Sequence, residues 1–452
     1  MTDEESAAFE LTKILQDKGY ETYWAGGAVR DLILGLSVHD IDIATAARPE
    51  EIKKIFPDSY DRGKAFGVVA IKKDDHEFEV ATFRSDIGVA DHRRPDKIEF
   101  TSSAEDAARR DFTINGLFYD PVKSEIIDFV EGLTDLKRKV LSFIGEPQER
   151  INEDYLRILR AVRFLVRLGF EMEKNSSETI LKNKAKVSEI SAERIREELS
   201  KMLLLENRTQ AIEQLEKFGL LDELLPELKA LKNVVQPKEF HSEGDVWTHT
   251  MLALKNIGET HSEELVWCVL LHDIAKPETI GYRSEVNKTS ITFFDHDVQS
   301  AEKAKEILGR LKFSKSFIEK VSWAIRQHMR IVNAFRGMSE RKQKKLFSDP
   351  NIELLLELTK ADLSASLRSD HKSDMKMYED AVKLREKFEL ETSEEEKNQV
   401  KKFDLVTGLD IMKNLNLQPS PEVGRIKNEL EQAYLNGEIN TRAEALKMLE
   451  KF

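Results

Sequence analysis

The spacing of apolar residues changes character near residue 150, and no other feature of the chain constrains its fold as strongly. Up to about residue 143, short alternating runs mix with helical patterns and frequent glycine and proline. His76 to Ala81 alternates with period two and Val68 to Ile71 is a short apolar run, so both read as strands. From residue 152 to about 385 nearly every segment has helical periodicity. A charged stretch, Glu391 to Lys402, has no apolar face and reads as a linker or exposed turn. A short helical tail, Gly408 to Phe452, follows and is broken by Pro419 and Pro421. The pattern predicts an α/β head followed by helical modules.

Composition narrows the function classes. A length of 452 residues, with 40% hydrophobic and 34% charged side chains, suits a globular chain of two to four domains. The longest uninterrupted apolar run, Leu265 to Leu271, is far short of a membrane span. The acidic start Met1-Thr2-Asp3-Glu4-Glu5 is unlike a secretory signal, and the one cysteine, Cys268, excludes an intramolecular disulfide and a Cys-based zinc cluster. The expected location is the cytoplasm, with no membrane partner. A net charge of −13 argues against indiscriminate nucleic-acid binding but leaves room for local basic grooves.

Three motifs in the head carry chemistry. Tyr23-Trp24-Ala25-Gly26-Gly27-Ala28-Val29-Arg30-Asp31 ends an apolar stretch in two glycines and opens a helix. Such a turn lets backbone amides approach a polyphosphate, although Gly-Gly before a helix is more often a plain tight turn. Asp40-Ile41-Asp42-Ile43 follows, and in a strand Asp40 and Asp42 would share one face while Ile41 and Ile43 anchor the other. Two adjacent carboxylates repel unless a cation lies between them, and oxygen ligands suit Mg²⁺. Two-metal phosphoryl transfer commonly adds a third carboxylate, for which Glu79 is the candidate, though alternation alone does not separate it from Glu77. The bland alternative for an isolated Asp-x-Asp is a solvated edge strand. In Arg109-Arg110-Asp111-Phe112-Thr113-Ile114-Asn115-Gly116, guanidinium forks suit triphosphate oxygens, and Asp111 and Asn115 suit ribose hydroxyls. Between the strand and this motif, Arg84 to Phe100 has no regular periodicity and is expected to be a mobile loop.

Taken together and in this order, these residues resemble the class II tRNA nucleotidyltransferases and bacterial poly(A) polymerases. The resemblance implies an α+β chain: a small polymerase-β-like head with a mixed sheet, then all-α neck, HD and tail modules. It implies boundaries at 1–143 for the head, 144–235 for the neck, 236–390 for the HD module and 391–452 for a tRNA-binding tail.

Downstream, Asn152-Glu153-Asp154-Tyr155-Leu156-Arg157 opens a basic segment with an N-cap candidate and acids in the first turn. On a helical wheel Arg157, Arg160, Arg163 and Arg167 fall within an arc of about 120°. Ile158, Leu159, Val162, Leu165 and Val166 lie opposite. Periodicity alone would accept a solvated amphipathic helix. The resemblance gives Glu153-Asp154-x-x-Arg157 a sharper role, in which Asp154 and Arg157 pair with the incoming base in place of a nucleic-acid template. Placed one turn apart on one helix face, they would offer acceptor and donor edges. Arg160 and Arg163 join the candidate nucleotide-binding set, and Ser191 to Leu199 resembles a later neck motif of the family.

The second half presents His249, His272-Asp273, His296, His328 and Asp362. Single helical histidines are usually core or surface residues, but two histidines with two carboxylates suit a divalent transition metal. This set resembles the HD phosphohydrolases, which implies His249, His272, Asp273 and Asp362 as ligands for an ion such as Ni²⁺, Mn²⁺ or Co²⁺. The implied substrates are 2′,3′-cyclic phosphates and phosphomonoesters. Cys268, one turn before His272, reads as core.

The reading with most support is addition of CCA to tRNA 3′ ends from CTP and ATP with Mg²⁺. In it Asp40 and Asp42 hold the metals, Gly26, Gly27, Arg30 and Arg110 hold the triphosphate, and Asp154 and Arg157 choose the base. Poly(A) polymerase, A-only or CC-only addition, and an HD phosphohydrolase with an RNA-binding head are the alternatives.

Overall fold

The computed structural model describes residues 2–450 and 452, apart from 39, 64–66, 89–91, 93–96, 259–260, 286–287, 336, 404, 436–438 and 440. The chain divides into two compact units, Met1–Arg326 with Ala361–Ser373, and Gln327–Lys360 with Asp374–Phe452.

The first unit opens with α1 (Asp3–Asp17), whose first amides are satisfied by a Thr2–Glu5 capping box. Then come β1 (Thr22–Ala25), α2 (Gly27–Ile33), β2 (Asp42–Thr45), α3 (Pro49–Ile55), β3 (Tyr60–Gly63), β4 (Val68–Lys73) and β5 (His76–Thr82). They are followed by β6 (Arg84–Ile87), β7 (Lys97–Phe100), α4 (Ser103–Ala108), β8 (Phe118–Asp120), β9 (Glu125–Ile127) and α5 (Gly132–Arg138). Seven strands form one sheet in the order β3-β4-β5-β2-β1-β8-β9. The β2–β5 pair is parallel and the pairs β1–β2, β4–β5 and β1–β8 are antiparallel, so the sheet is mixed, as expected. The two strands expected from periodicity are β4 and β5. In β5, Phe78, Val80 and Thr82 are buried while Glu77, Glu79 and Ala81 face the other way.

Arg84 to Phe100 departs from the expected irregular loop. Its two ends are the antiparallel strands β6 and β7, paired from Arg84↔Phe100 to Ile87↔Lys97. The largely exposed β7 carries no apolar alternation, the signal by which a strand is read from sequence. The middle of the segment, 89–91 and 93–96, lies outside the described residues.

The neck follows: β10 (Val140–Leu141), α6 (Pro147–Glu153), α7 (Leu156–Leu168), β11 (Glu171–Met172), α8 (Lys174–Lys182), α9 (Ala192–Leu203), α10 (Arg208–Lys217), α11 (Leu221–Leu224) and α12 (Pro226–Lys229). Ile158, Leu159, Val162, Leu165 and Val166 form the buried face of α7. The unit continues with α13 (Val246–Lys255), α14 (Glu263–Leu271), α15 (Lys276–Thr279), β12 (Ile280–Glu285), β13 (Lys288–Phe293), α16 (His296–Arg310) and α17 (Lys315–Ala334, whose residues from Gln327 on belong to the second unit). The antiparallel β12–β13 hairpin is an addition to the helical reading of this region.

In the second unit lie α18 (Glu340–Phe347), α19 (Ile352–Ala365, whose last residues belong to the first unit), α20 (Lys376–Phe403), α21 (Gly408–Leu415), α22 (Pro421–Leu435) and α23 (Arg442–Leu449). The tail helices enclose Ile411, Ile426, Leu430 and Leu449. The linker expected at Glu391 to Lys402 instead lies within the second half of α20. Its glutamates, lysines and glutamine are good helix formers, so the backbone continues without an apolar face to demand it.

Candidate active site

The sheet register builds the head site. In the antiparallel β1–β2 pair Ala25 lies opposite Asp42, so the turn that leaves β1 sits beside the first residue of β2. Gly26, in that turn, has φ 68 and ψ −130, a conformation open only to glycine. A Cβ there would also meet Arg110 Nη1 at 3.1 Å. On the other side β2 runs parallel to β5 with Ile43 opposite Val80, which sets Asp42 beside Glu79. Ile41 and Ile43 are buried, as expected of the anchoring face.

Asp40 differs from the expectation. It precedes β2 in a bend with φ 53, so the rule that residues i and i+2 share a strand face does not extend to it. Asp42 and Glu79 line a cavity of about 590 Å³, and Asp40 lies off its wall. Asp40 is nonetheless within electrostatic reach. Burial, then Glu79 and Asp40, push the Asp42 carboxyl up to about 6 against the opposing pull of Arg110. Converging carboxylates that disfavour each other's ionisation fit a hard divalent cation with oxygen ligands. Glu77 is engaged elsewhere, by the Tyr60 hydroxyl and Arg62. Glu79 faces the cavity, with Arg62 Nε at 3.2 Å.

The same cavity is lined by Gly26, Gly27, Arg30, Arg110, Asp111, Asn115, Asp154, Arg157, Arg160 and Arg163. Arg84, Arg109, Arg167 and Arg194, outside the expected set, line it as well. Among the described residues, nine arginines against four carboxylates make the walls suited to a polyanion. Buried acids behind the wall aim these guanidinium groups. Asp31 accepts from Arg30 Nε at 2.8 Å and from Arg167 Nη2 at 2.9 Å. Asp106 accepts from Arg109 Nη2 at 2.7 Å and Arg110 Nη2 at 3.0 Å, and Glu198 from Arg163 Nε at 2.6 Å.

Asp111 and Asn115 are bound into this frame. Asp111 Oδ2 accepts from Arg160 Nη2 at 2.6 Å, its Oδ1 accepts from Asn115 Nδ2 at 3.0 Å, and Asn115 Oδ1 accepts from Arg30 Nη1 at 2.7 Å. Burial alone would raise the Asp111 carboxyl, but Arg160 and the Asn115 hydrogen bond outweigh it and hold it at about 2. A carboxyl depressed in the folded state stabilises the fold above its unfolded value near 3.8 and loses that contribution as pH falls towards 2. Asp111→Asn is therefore expected to cost on the order of 2 kcal/mol at neutral pH. Thermal midpoints of the two proteins should differ at pH 7 and converge as the pH drops from about 4 towards 2.

The Asp154–Arg157 pair is built differently from the expected single helix. Asp154 ends α6 in extended backbone (φ −152, ψ 107), and α7 begins only at Leu156. Asp154 and Arg157 thus reach the cavity from either side of a helix break. Asn152, the expected cap, lies inside α6. The break is closed locally, with Asp154 Oδ1 accepting the Leu156 N–H at 3.0 Å. Arg194 on α9 grips Asp154 through two bonds of 3.0 and 2.7 Å. Arg157 donates to the Arg109 and Arg150 carbonyls at 3.1 and 2.9 Å and pairs with Glu153.

A second cluster lies in the histidine region. His249 comes from α13, His272 and Asp273 follow α14, and Asp362 comes from α19. His249 Nε2 is 3.0 Å from Asp362 Oδ1 and 3.9 Å from Asp273 Oδ2. His272 Nε2 is 3.3 Å from Asp273 Oδ2 and 3.8 Å from Asp362 Oδ1. The four expected ligands therefore converge. Burial would lower the His249 imidazole, yet its bonds to Asp362 and Glu243 raise it to about 9. A pocket that stabilises positive charge this strongly, with two imidazoles and two carboxylates, fits a divalent transition metal. Its supporting partners were not read from the sequence. Glu243 Oε1 accepts from His249 Nδ1 at 2.9 Å, and Lys276 Nζ sits 2.6 Å from Asp273 Oδ2. Lys276 lies three residues after Asp273 and so had a spacing signal; Glu243 had none. His296 Nε2 is 3.6 Å from Asp273 Oδ1, while His328 belongs to the second unit. Cys268 is buried core.

Residues 22–142 match the poly A polymerase head domain, 169–232 a probable RNA- and SrmB-binding site of polymerase A, and 244–366 the HD domain. A CCA-adding enzyme of Lactobacillus delbrueckii subsp. bulgaricus is 42% identical over 224 residues, 49% of this chain and 56% of that one. The chain thus spans little more than half the length of that relative. A CCA-adding enzyme of Streptococcus gordonii is 34% identical over 313 residues, 66% of this chain and 77% of that one. Among solved structures, the Bacillus stearothermophilus CCA-adding enzyme in complex with CTP shares the fold, with a TM-score of 0.61 and 24% identity over 100% of this chain and 98% of that one. Identity at this level across most of a relative's length shows that the chain belongs to the family of CCA-adding enzymes.

Proposed function

We propose that this chain adds C, C and A to the 3′ end of tRNA from CTP and ATP, without a nucleic-acid template. The observation that carries the reading is one cavity holding the Asp42–Glu79 carboxylates, an arginine wall and the Asp154–Arg157 pair. In the reaction the tRNA 3′-oxygen bonds to the α-phosphorus, the bond to the departing pyrophosphate breaks, and the hydroxyl proton passes to solvent water. Mg²⁺ held by Asp42 and Asp40, with Glu79, would supply Lewis-acid stabilisation of the charge that develops. Arg30, Arg110 and the Gly26–Gly27 turn hold the triphosphate. Asp111 and Asn115 keep Arg160 and Arg30 aimed, so contact with the ribose requires exchange of one of their present bonds. Asp154 and Arg157 present acceptor and donor edges to cytosine or adenine. This reading places the protein in the cytoplasm.

The test offers labelled CTP and ATP to tRNAs ending in the discriminator base, in C and in CC. Full addition to all three is expected, whereas extension of the CC end alone would assign A-only addition. Arg157→Ala is expected to relax discrimination against UTP and GTP by about 10–100-fold, with a smaller change in triphosphate affinity. An equal rise in KM for all four nucleotides would make Arg157 a phosphate ligand.

We further propose that the His249, His272, Asp273 and Asp362 cluster hydrolyses 2′,3′-cyclic phosphates at RNA ends. Ni²⁺, Mn²⁺ or Co²⁺ would polarise the phosphate there, in preference to Mg²⁺, because imidazole favours those ions. Water supplies a hydroxyl to phosphorus, and the departing ribose oxygen takes the proton. The convergence of the four donor groups supports this reading.

A further inference from the structure

Next to the histidine cluster lies a separate cavity of about 650 Å³, walled by the segment from Asn233 to Asp245 and by Ser369 and His371. Two of its lining residues are each one side chain away from the cluster. His241 Nδ1 bonds to Glu243 Oε1 at 2.7 Å, and the same oxygen holds His249. Gln236 Oε1 accepts from Lys276 Nζ at 2.7 Å, and Lys276 in turn pairs with Asp273. The other end of Gln236 is the telling feature. The residue is 2% exposed, and among the described residues its Nε2 is buried without a hydrogen-bond partner. A buried amide left without an acceptor is costly, so such a group beside a cavity marks a place for an acceptor brought by a ligand.

The walls define that ligand. Among the described residues Asp245 is the one carboxylate lining the cavity, and its oxygens are spent on the Thr248 and Asn233 amides at 2.9 and 2.6 Å. What remains includes two donors, the Gln236 amide and the Lys238 ammonium, beside the His241 and His371 imidazoles. Donors suit phosphate and sugar oxygens, imidazole faces suit a base, and the volume lies in the range of small-ligand sites.

We infer that this cavity is the nucleoside subsite of the histidine cluster: it receives the terminal ribonucleoside of an RNA end, with the Gln236 amide donating to a ribose or phosphate oxygen while the phosphorus lies at the cluster. The inference rests on the hydrolase reading above, and its test separates the two. Val235 lines the cavity and is 54% exposed, so Val235→Trp fills the space without disturbing a core.

Two measurements on the intact chain decide the matter. In titration calorimetry with adenosine 3′-phosphate, the unaltered protein is expected to take up one equivalent more than Val235→Trp. With Mn²⁺ present, Val235→Trp is expected to raise KM for 2′,3′-cyclic AMP about tenfold or more and to leave hydrolysis of p-nitrophenyl phosphate, which has no nucleoside, unchanged. Gln236→Leu is expected to raise the same KM with full Mn²⁺ content; loss of bound Mn²⁺ would assign Gln236 to the metal cluster and not to the ligand. Equal uptake, or an unchanged KM in a protein that does hydrolyse the ester, overturns the inference. A site lost in Val235→Trp in a protein that hydrolyses no ester leaves the subsite standing and overturns the hydrolase reading.

Discussion

Asp42→Ala is expected to lower nucleotide addition by about 10³-fold or more while tRNA binding and the thermal midpoint stay close to those of the unaltered protein. Asp42 is the first residue of β2, fixed by register beside both the glycine turn and Glu79, and its carboxylate opens on the cavity. Among the described residues its side chain makes no ion pair that holds the fold, so removal should be read in turnover and not in stability. Asp40 needs a different substitution. Its φ of 53 would strain alanine, whereas asparagine tolerates the left-handed region, so Asp40→Asn isolates loss of charge from loss of backbone. A fall of comparable size is expected there, because Asp40 already acts on the ionisation of Asp42. Addition that survives either change within tenfold would remove the two-metal reading.

The sheet and the polar cavity were legible to different depths. Strands β4 and β5 announced themselves through Val68–Ile71 and the alternation of His76–Ala81, because one face of each is buried and period two follows. The β6–β7 ribbon left no such trace, since exposed pairing needs no apolar face. Motif order brought twelve of the expected head and neck residues to one cavity, but not the way they are held. Asp-x-Asp reads as one strand face only if both residues are extended, and Asp40 is not. Glu153-Asp154-x-x-Arg157 reads as one helix turn only if the helix is continuous, and it breaks at Asp154. The grip of Arg194 on Asp154 spans 40 residues, and that of Asp31 on Arg167 spans 136, distances at which no local pattern speaks. Charged helix formers explain why Glu391 to Lys402 looked like a linker and is a helix.

His272→Ala is expected to abolish metal-dependent hydrolysis of 2′,3′-cyclic AMP and to leave CCA addition within about twofold, because sites without shared partners act independently. The groups that hold the cluster, among them Glu243, Lys276, Gln236 and Leu367, come from residues 236–367. Those that aim the arginine wall, Asp31, Asp106, Asp111, Asp154 and Glu198, come from residues 31–198. His272 is buried, so its removal can also lower stability, and the thermal midpoint should be followed alongside. Asp362→Asn provides the control. Asp362 is partly open to solvent, and amide for carboxylate keeps its shape while removing one anionic donor from the metal set. If both variants lose hydrolysis and bound Mn²⁺ yet add CCA at the normal rate, the cluster is a second catalytic centre. If the unaltered protein hydrolyses nothing with Ni²⁺, Mn²⁺ or Co²⁺, or if both variants lose addition in step with stability, the cluster is a structural knot of the fold.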